Sequence, residues 1–242
     1  MNQIESLDIL AFGAHPDDVE LAASGTILKH IALGKKVGVV DLTRGEKGTR
    51  GTANDRDLEA KESSKILGLN VRENLGFEDC FFENNQENLL KVISVIRRFR
   101  PKIVLCNAVS DRHPDHSRAS ELVSRACYLS GLSKIETSFD NANQQEFRPS
   151  AVYHYIQDYW LEPDFIVDIS DFFDKKMEAI LAFKTQFYNP ASNLPETPIS
   201  SKNFLESIKA RAVALGRYIG ADYGEGFTAE RYIGVEDITK LN

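Results

Sequence analysis

Up to residue 129, short apolar runs alternate with longer stretches in which apolar side chains recur at helical spacing. Four runs have the length and composition of β-strands: residues 7–14, 36–42, 71–75 and 103–106. Four amphipathic stretches follow them in turn: residues 17–33, 55–67, 86–99 and 115–129. Gly34, Gly68 and Pro101 lie just beyond three of these stretches, where helices commonly end. This alternation predicts right-handed βαβ units, and hence an α/β fold with a Rossmann-like, mostly parallel sheet flanked by helices.

The last third of the chain has a less regular pattern. It contains two predicted strands, two predicted helices and a short final strand: residues 151–157 and 165–169, residues 171–183 and 204–218, and residues 230–235. Two long polar segments, residues 136–149 and 189–203, are expected to be lids, subunit contacts or mobile loops. We expect one domain over residues 1–242, in which residues 136–242 complete a Rossmann-like core formed by residues 1–135.

The charge and the cysteine content narrow the functional classes. The 242 residues have a formal net charge of −7 and no run of basic residues, which argues against a nucleic acid as partner. The N-terminal residues lack the basic and apolar segments of a signal peptide, and no apolar stretch is long enough to span a membrane. Cys80, Cys106 and Cys127 form no CxxC pair, which is typical of reduced thiols. These features predict a cytoplasmic protein that acts on a small polar molecule.

Two polar clusters follow predicted strands of the sheet. Ala-His-Pro-Asp-Asp occupies residues 14–18 after the first strand, and His-Pro-Asp-His occupies residues 113–116 after the fourth. Because ligands bind beyond the carboxyl ends of parallel strands, both clusters are expected at one edge of the sheet. Imidazole and carboxylate groups in such a crevice are typical ligands of a catalytic divalent metal ion. The two clusters together predict metal-assisted hydrolysis.

The spacing within the clusters indicates which side chains bind the metal. His15 and Asp18 lie three residues apart across a strand-to-helix turn, and His116 arrives from the second cluster. These three ligands leave coordination positions on the metal ion open for water and substrate, and they suit Zn²⁺ as well as Fe²⁺. Asp17 is then expected beside the water, where a carboxylate accepts its proton. Alternatively, Asp17 and Asp18 only favour the dipole of a helix and the histidines lie in a surface turn, but two clusters at equivalent strand ends argue against this.

Together the two clusters resemble the metal motifs of the LmbE/PIG-L family of zinc-dependent N-acetylglucosaminyl deacetylases. The similarity covers most of the chain and includes three further segments: residues 43–49, Arg56 with Glu59, and residues 75–79. Residues 223–227 and 233–235 are similar to the subgroup that acts on N-acetylglucosaminyl malate in bacillithiol biosynthesis. The resemblance implies an LmbE-like fold and an amidohydrolase that removes acetate from an N-acetylglucosamine conjugate. It also implies a homo-oligomer, and a hexamer fits the subgroup.

The resemblance further implies roles for individual residues. A zinc ion is expected to have three protein ligands: His15, Asp18 and His116. Asp17 is the expected general base, and protonated His113 is expected to stabilise the tetrahedral oxyanion or to donate a proton to the leaving amine. Asp115 is expected either to orient His113 and raise its basicity or to cap the helix that begins there.

Substrate contacts are expected from loops at the same edge of the sheet. The resemblance implies that Arg56 contacts the sugar and that Asp79 accepts hydrogen bonds from its hydroxyls, although Arg56 and Glu59 would also suit a surface ion pair. The loop at residues 43–51 is either mobile or a lid whose cations meet an anionic aglycone such as malate. Its candidate substrate contacts are Glu46 and Lys47, and its cations are Arg44, Lys47 and Arg50.

Two other functions are compatible with the sequence. One keeps the reaction but changes the substrate to a chitooligosaccharide or another N-acyl amino sugar. The other is a non-catalytic module that binds a sugar or a nucleotide, but it requires a vestigial metal site, whereas both metal motifs are intact. No nearby motif supplies a base for a catalytic thiol at Cys80, and His30 and His154 are expected to have structural roles.

Overall fold

The structure, a computed structural model, describes residues 6–240. The first eight elements alternate strand and helix: β1 (Ile9–Gly13), α1 (Asp18–Ala32), β2 (Val37–Thr43), α2 (Ala53–Leu67), β3 (Val71–Phe77), α3 (Gln86–Phe99), β4 (Ile103–Cys106) and α4 (Pro114–Leu129). The others are β5 (Ser138–Phe139), β6 (Ala142–Asn143), β7 (Ala151–Tyr155), β8 (Phe165–Asp168), α5 (Phe173–Leu181), α6 (Lys202–Tyr218) and β9 (Gly224–Ala229). The expectation that the N-terminus lacks a signal peptide rests mainly on residues 1–5, which lie outside the described residues.

Seven strands form one sheet in the order β3-β2-β1-β4-β7-β9-β8. The first five strands in this order pair in parallel, whereas β9 runs antiparallel to both of its neighbours. The predicted α/β fold with a mostly parallel sheet is therefore confirmed. The strand order reverses direction at β1 and β4, which lie side by side although other strands and helices separate them along the chain. A crevice at the carboxyl ends of such a strand pair is the usual ligand site of an open α/β sheet.

Alternate side chains of the strands contact two apolar cores. Leu10 and Phe12 of β1 pack in the core that includes α3 and α4, whereas Ile9 and Ala11 pack with α1. Because successive strand residues point to opposite faces of a sheet, helices cover both faces. Every residue of β1 and β2 is buried. The strand that leads into the first polar cluster and its neighbour β2 are thus fully buried, and each large apolar side chain there contributes about 1.5–3 kcal/mol by burial.

The predicted final strand at residues 230–235 is wrong. The strand is β9, and residues 230–237 form neither strand nor helix. Glycine and glutamate make residues 224–226 look like a loop, because both are depleted in strands. Glycine is needed at Gly224, since a Cβ there would lie 2.9 Å from the backbone nitrogen of Gly216 in α6.

Other differences from the predicted elements are small. The polar segment at residues 136–149 contains the two-stranded β5–β6 ladder, and the helix expected at residues 171–183 begins as a 3₁₀ turn, Ser170–Phe172, before α5. In the second polar segment, residues 189–201 precede α6 without a strand or a helix. Within residues 6–240, no helix has the length and apolar character needed to cross a membrane.

Candidate metal centre and active site

The turn between β1 and α1 brings the first polar cluster to the carboxyl edge of the sheet. Asp17 has a backbone φ of 111°, which is strained for a residue with a side chain. The buried guanidinium of Arg56 holds this turn, because it donates a hydrogen bond to the Pro16 carbonyl and lies 3.3 Å from the Asp17 carboxylate. The alternative surface ion pair of Arg56 with Glu59 is not the observed arrangement, since the Glu59 carboxylate accepts hydrogen bonds from the backbone and hydroxyl of Thr185.

The hydrogen bonds of His15 determine which ring nitrogen is free to bind a metal. Its Nε2 lies 3.0 Å from Oδ1 of Asp79 and 3.3 Å from Oδ2 of Asp115. Because carboxylates only accept hydrogen bonds, Nε2 carries a proton, and Nδ1 is the nitrogen that a metal ion would bind. Nδ1 lies 3.6 Å from Oδ2 of Asp18. The free nitrogen of His15 therefore faces the carboxylate that was predicted to share the metal.

The contacts of His116 indicate that its Nε2 is the nitrogen that would bind a metal. Its Nδ1 lies 2.5 Å from Oδ2 of Asp111, and its Nε2 lies 3.0 Å from Oδ1 of Asp18. A carboxylate that binds the far nitrogen of a ligating histidine fixes the tautomer and the ring orientation. Asp111 was not among the predicted site residues. The available signal is its position, in the loop after β4 and five residues before His116.

The residues present fit a catalytic divalent metal ion. Three buried groups lie close together: Nδ1 of His15 is 3.6 Å from Oδ2 of Asp18, and Oδ1 of the same carboxylate is 3.0 Å from Nε2 of His116. Two imidazoles, which are neutral when they bind a metal, and one carboxylate form a ligand set that leaves positions for water and substrate, as catalytic zinc and iron(II) sites do. Ring nitrogens of His15, His113 and His116 also lie within 4.8 Å of one another, so a third imidazole borders the same space.

His113 has a backbone contact that suits a hydrogen-bond donor. It caps the N-terminus of α4, where its Nδ1 accepts a hydrogen bond from the backbone N–H of Asp115 at 3.3 Å. In a neutral imidazole with this contact, the proton lies on Nε2. Burial, together with the neighbouring His15 and His116, lowers the pKa of His113. The lowered pKa favours a neutral His113 in place of the protonated one that the resemblance implies, and its Nε2–H group suits donation of a hydrogen bond to an oxyanion.

The N-cap of α4 is His113, so the capping role expected of Asp115 is wrong. The Asp115 carboxylate contacts His15, while its backbone N–H donates to Nδ1 of His113 and its charge opposes the lowering of the pKa of that ring. This carboxylate also accepts a hydrogen bond from the backbone of Cys80 at 3.0 Å and lies 2.5 Å from Nη1 of Arg118. The sequence could not reveal this arrangement, because Cys80 and His15 approach Asp115 only in the folded chain. Asp115 thus helps to hold His15.

Asp17 lies beside the ligands and lines the same cleft. Its side chain is buried, and burial raises its pKa to about 7 although the charge of Arg56 opposes this shift. A carboxyl group with a pKa near neutrality is well matched to proton transfer at neutral pH. Its assignment as the general base stays a prediction, which the placement supports.

Some of the residues predicted to contact the substrate line the cleft, and others hold the loop at residues 43–51 in place. Asp79 binds His15 and also accepts a hydrogen bond from the backbone N–H of Lys47 at 2.8 Å, while its own N–H donates to the Glu46 carboxylate. Arg56, Asp79 and Lys47 line the cleft, whereas Glu46 is not among the described lining residues. Glu46 and Asp79 therefore tie the loop at residues 43–51 to the metal centre.

The cleft has a volume of about 320 Å³, and its far wall comes from the last third of the chain. Six residues of this wall are Thr197, Pro198, Ile199, Phe204, Ile208 and Arg211. Arg211 donates a hydrogen bond to the backbone carbonyl of Asp158, whose carboxylate pairs with Arg112. The far wall combines apolar surface with cations, whereas the opposite wall carries the histidines and carboxylates.

The remaining histidines make contacts that suit the structural roles expected of them, and the surroundings of Cys80 do not favour a catalytic thiol. His154 contacts the Ser120 hydroxyl, the Asn107 carbonyl and the Glu230 carboxylate, and His30 contacts the Thr26 carbonyl in its own helix. Cys80 lines the cleft, but burial and the charge of Asp79 raise the pKa of its thiol, which disfavours a thiolate nucleophile.

Comparisons with known proteins agree with this geometry. The model of the family described as PIG-L, GlcNAc-PI de-N-acetylase, matches residues 10–127. Diacetylchitobiose deacetylase of Thermococcus kodakarensis is 31% identical over 228 residues, which cover 90% of this chain and 81% of the relative. A probable N-acetyl-alpha-D-glucosaminyl L-malate deacetylase 2 of Bacillus anthracis is 27% identical, with 77% and 84% covered.

A solved structure supports the same relationship. The crystal structure of the conserved protein TT1542 from Thermus thermophilus is 37% identical and superposes with a TM-score of 0.83. The match covers 95% of this chain and 98% of the other. The motifs, the fold and these similarities together show that the chain belongs to the PIG-L family.

Proposed function

We propose that this protein is a metal-dependent N-deacetylase that removes acetate from an N-acetylglucosamine conjugate. The observation that carries the proposal is the contact of the Asp18 carboxylate with both His15 Nδ1 and His116 Nε2, in a cleft shared with Asp17 and His113. Membership of the PIG-L family and the similarity to diacetylchitobiose deacetylase support the same reaction. The proposed metal is zinc, and the ligand set also accommodates iron(II).

The side chains around the metal supply the remaining steps of the hydrolysis. A bound divalent ion polarises the acetyl carbonyl and lowers the pKa of water. Asp17 accepts the proton of the attacking water, and the Nε2–H of His113 donates a hydrogen bond to the oxygen that becomes negatively charged. When the C–N bond breaks, the proton held by Asp17 goes to the amine nitrogen, so acetate and a free amino sugar leave. Arg56 keeps the Asp17 carboxylate in place through its contact at 3.3 Å.

The substrate proposed first is an N-acetylglucosaminyl conjugate with an anionic aglycone, such as the malate conjugate of bacillithiol biosynthesis. Among the loop cations, Arg44 is exposed and paired with Asp57, whereas Arg50 is buried and lines the cleft. Arg50 Nη2 donates to the Ser192 hydroxyl, and within residues 6–240 no carboxylate pairs with this guanidinium. Because a buried cation without a counter-charge is unfavourable, an anionic group of the substrate would stabilise Arg50. The Bacillus anthracis relative supports this choice.

The alternative substrate is a neutral chitooligosaccharide. The similarity to diacetylchitobiose deacetylase supports it, and the apolar part of the far wall, at Ile199, Phe204 and Ile208, suits the face of a second sugar ring. The two substrates differ in charge, so Arg50 distinguishes them. Replacing Arg50 by Gln should raise KM for the malate conjugate at least about tenfold and leave KM for diacetylchitobiose within about twofold, because only the anion needs the lost charge. An equal change for both substrates would contradict an anion site at Arg50.

The reaction itself is tested by acetate release from purified protein, with the metal content determined on the same sample. We expect stoichiometric metal, acetate release from N-acetylglucosaminyl malate that stops after treatment with a chelator, and recovery when Zn²⁺ is restored. Release from diacetylchitobiose alone would move the proposal to neutral oligosaccharides. Bound metal without acetate from either substrate would favour the non-catalytic module.

Two further expectations concern the state of the protein in the cell. We propose a homo-oligomer, with a hexamer as the form that fits the subgroup, and a cytoplasmic location. Both follow from the family resemblance and the sequence pattern. Light scattering of the purified full chain measures the oligomeric state directly. A monomer at working concentration would contradict the first expectation without affecting the proposed reaction.

A further inference from the structure

Two buried amide side chains contact the Asp18 carboxylate. Asn107 follows β4 directly and Gln157 lies two residues beyond β7, and these strands are adjacent and parallel. Asn107 Nδ2 donates a hydrogen bond to Oδ2 of Asp18 at 3.0 Å, and Gln157 Nε2 donates one to Oδ1 at 3.2 Å. The exposed fraction is 0% for Asn107 and 5% for Gln157. Neither residue was singled out in the sequence.

Backbone donors fix the orientation of both amides. Oδ1 of Asn107 accepts a hydrogen bond from the N–H of Ala14 at 2.9 Å, and Oε1 of Gln157 accepts one from the N–H of Ala108 at 3.1 Å. Because a backbone N–H only donates, the oxygen of each amide must face it, and each NH₂ group must point away. Asn107 Nδ2 also donates a hydrogen bond to Oε1 of Gln157, at an N···O distance of 3.0 Å. The donors of the pair are therefore directed at Asp18.

These contacts leave a defined place for a metal on Asp18. Its Oδ2 accepts hydrogen bonds from the backbone N–H of His15 at 2.9 Å and from Asn107, which occupy the two acceptor positions of that oxygen. Its Oδ1 accepts one hydrogen bond from Gln157 and lies beside Nε2 of His116. Since the amides are neutral, they hold the carboxylate without introducing a cation that would compete with a metal ion.

We propose that Asn107 and Gln157 are positioning residues, which hold Asp18 so that Oδ1 faces the metal. They join the ends of three strands, because Ala14 follows β1, Asn107 follows β4 and Gln157 lies beyond β7. Through these two amides, the orientation of the Asp18 carboxylate depends on β7 as well as on the two strands that precede the polar clusters. The inference rests on the metal ligation in the proposed function and is independent of which sugar is the substrate.

The test measures Zn²⁺ affinity by competition with a chelating dye, on the full chain with Gln157→Met or Asn107→Leu. Both changes keep most of the side-chain volume and remove the donors. We expect each to raise the Kd for Zn²⁺ by about 10- to 100-fold, the usual effect of losing a group that orients a ligand. Gln144→Met is the matched control: Gln144 Nε2 donates to the Ser94 carbonyl at 2.8 Å and does not line the cleft. Its Zn²⁺ affinity should be unchanged.

Two further measurements separate positioning from a general structural role. If the amides act through Asp18, Gln157→Met should cause no additional loss of Zn²⁺ affinity when it is combined with Asp18→Ala. The Co²⁺-substituted Gln157→Met protein should show an altered visible spectrum, because the ligand field changes. A lowered Tm of the metal-free protein with unchanged Zn²⁺ affinity would overturn the proposal.

A second variant, Gln157→Ala, covers the case in which Gln157→Met does not fold. It removes the donor to Asp18 without adding a charge, and it leaves room for a water molecule to bind the N–H of Ala108. Unchanged Zn²⁺ affinity in this variant and in Asn107→Leu would also overturn the inference. If Asp18→Ala itself left the affinity unchanged, the ligand assignment would fail first, and the positioning role would fail with it.

Discussion

The two walls of the cleft are built in different ways. The metal wall comes from the ends of β1 and β4, and its side chains are held from several sides: Asp18 alone contacts two imidazoles and two amides. The far wall comes from residues 197–199 and from one face of α6, where Phe204 and Ile208 contribute apolar surface. The difference teaches that the proposed chemistry lies at buried strand ends, whereas the proposed substrate surface comes from a loop and a helix late in the chain.

The comparison predicts different kinetic consequences for the two walls. Changes in the metal wall should lower kcat or metal affinity, because they act on groups that meet the reacting atoms. Changes in the far wall should raise KM and leave kcat nearly unchanged, because they remove binding that is equal in the ground state and the transition state. A far-wall change that lowered kcat as strongly as a metal-wall change would break the comparison.

The largest effect is expected for Asp17→Asn. Asn tolerates the positive φ of this position and keeps the shape of the side chain, so the turn should survive. The loss of a general base lowers kcat by about 10²- to 10⁴-fold. Initial rates at saturating substrate, with the metal content of the same sample, measure this. Near-normal turnover with full metal occupancy would remove Asp17 from the role of base.

A large effect on stability is expected where the last third of the chain is attached to the metal wall. Lys176 of α5 pairs with Glu225 of β9 at 2.6 Å, and its ammonium donates a hydrogen bond to the Leu21 carbonyl in α1. Glu225 in turn accepts hydrogen bonds from the backbone of Gly25 and Thr26. Lys176→Met leaves this carboxylate buried without its cation, which should lower the free energy of unfolding by about 3–5 kcal/mol.

Urea unfolding of the metal-free protein measures the change at Lys176. Lys65→Met is the control, because Lys65 is exposed and its pairing with Glu62 at the surface should contribute little. The double variant Lys176→Met with Glu225→Gln should recover part of the loss, since no unpaired charge stays buried. A change as small as that of the control would show that the two regions are not joined through this pair.

A smaller effect on metal binding is expected for Asp111→Asn. The variant keeps an acceptor for the backbone N–H of Tyr159, at 2.7 Å, but removes the charge that faces His116. We expect the Kd for Zn²⁺ to rise by about 10- to 100-fold, because the ligating imidazole loses its orientation and part of its basicity. Asp164→Asn is the control, since Asp164 also accepts a backbone N–H at 2.7 Å, from Ala229, and is not a cleft residue. Equal affinities in both variants would contradict the assignment.

The same division explains what could be predicted from the sequence. The metal wall was predictable because its clusters follow apolar strands, so the positions of His15 and His116 depend on local pattern and sheet topology. The roles of Asn107 and Gln157 were not predicted, although a polar residue directly after the apolar run of β4 could have indicated that Asn107 belongs to the site. β9 was missed because Glu225 is buried by partners from α1 and α5, which are distant in the sequence.

The smallest effect is expected at the far wall, for Phe204→Ala. Phe204 lines the cleft and stacks on Phe187 with ring centroids 6.1 Å apart. Loss of an aromatic contact of about 0.5–1.5 kcal/mol raises KM by about 2- to 13-fold. Because the contact is apolar and carries no group that exchanges a proton, kcat should stay within about twofold. Tyr218→Ala, on the exposed end of the same helix, should change neither constant. A lowered kcat with unchanged KM would place Phe204 with the reacting groups, and the two walls would then not differ in function.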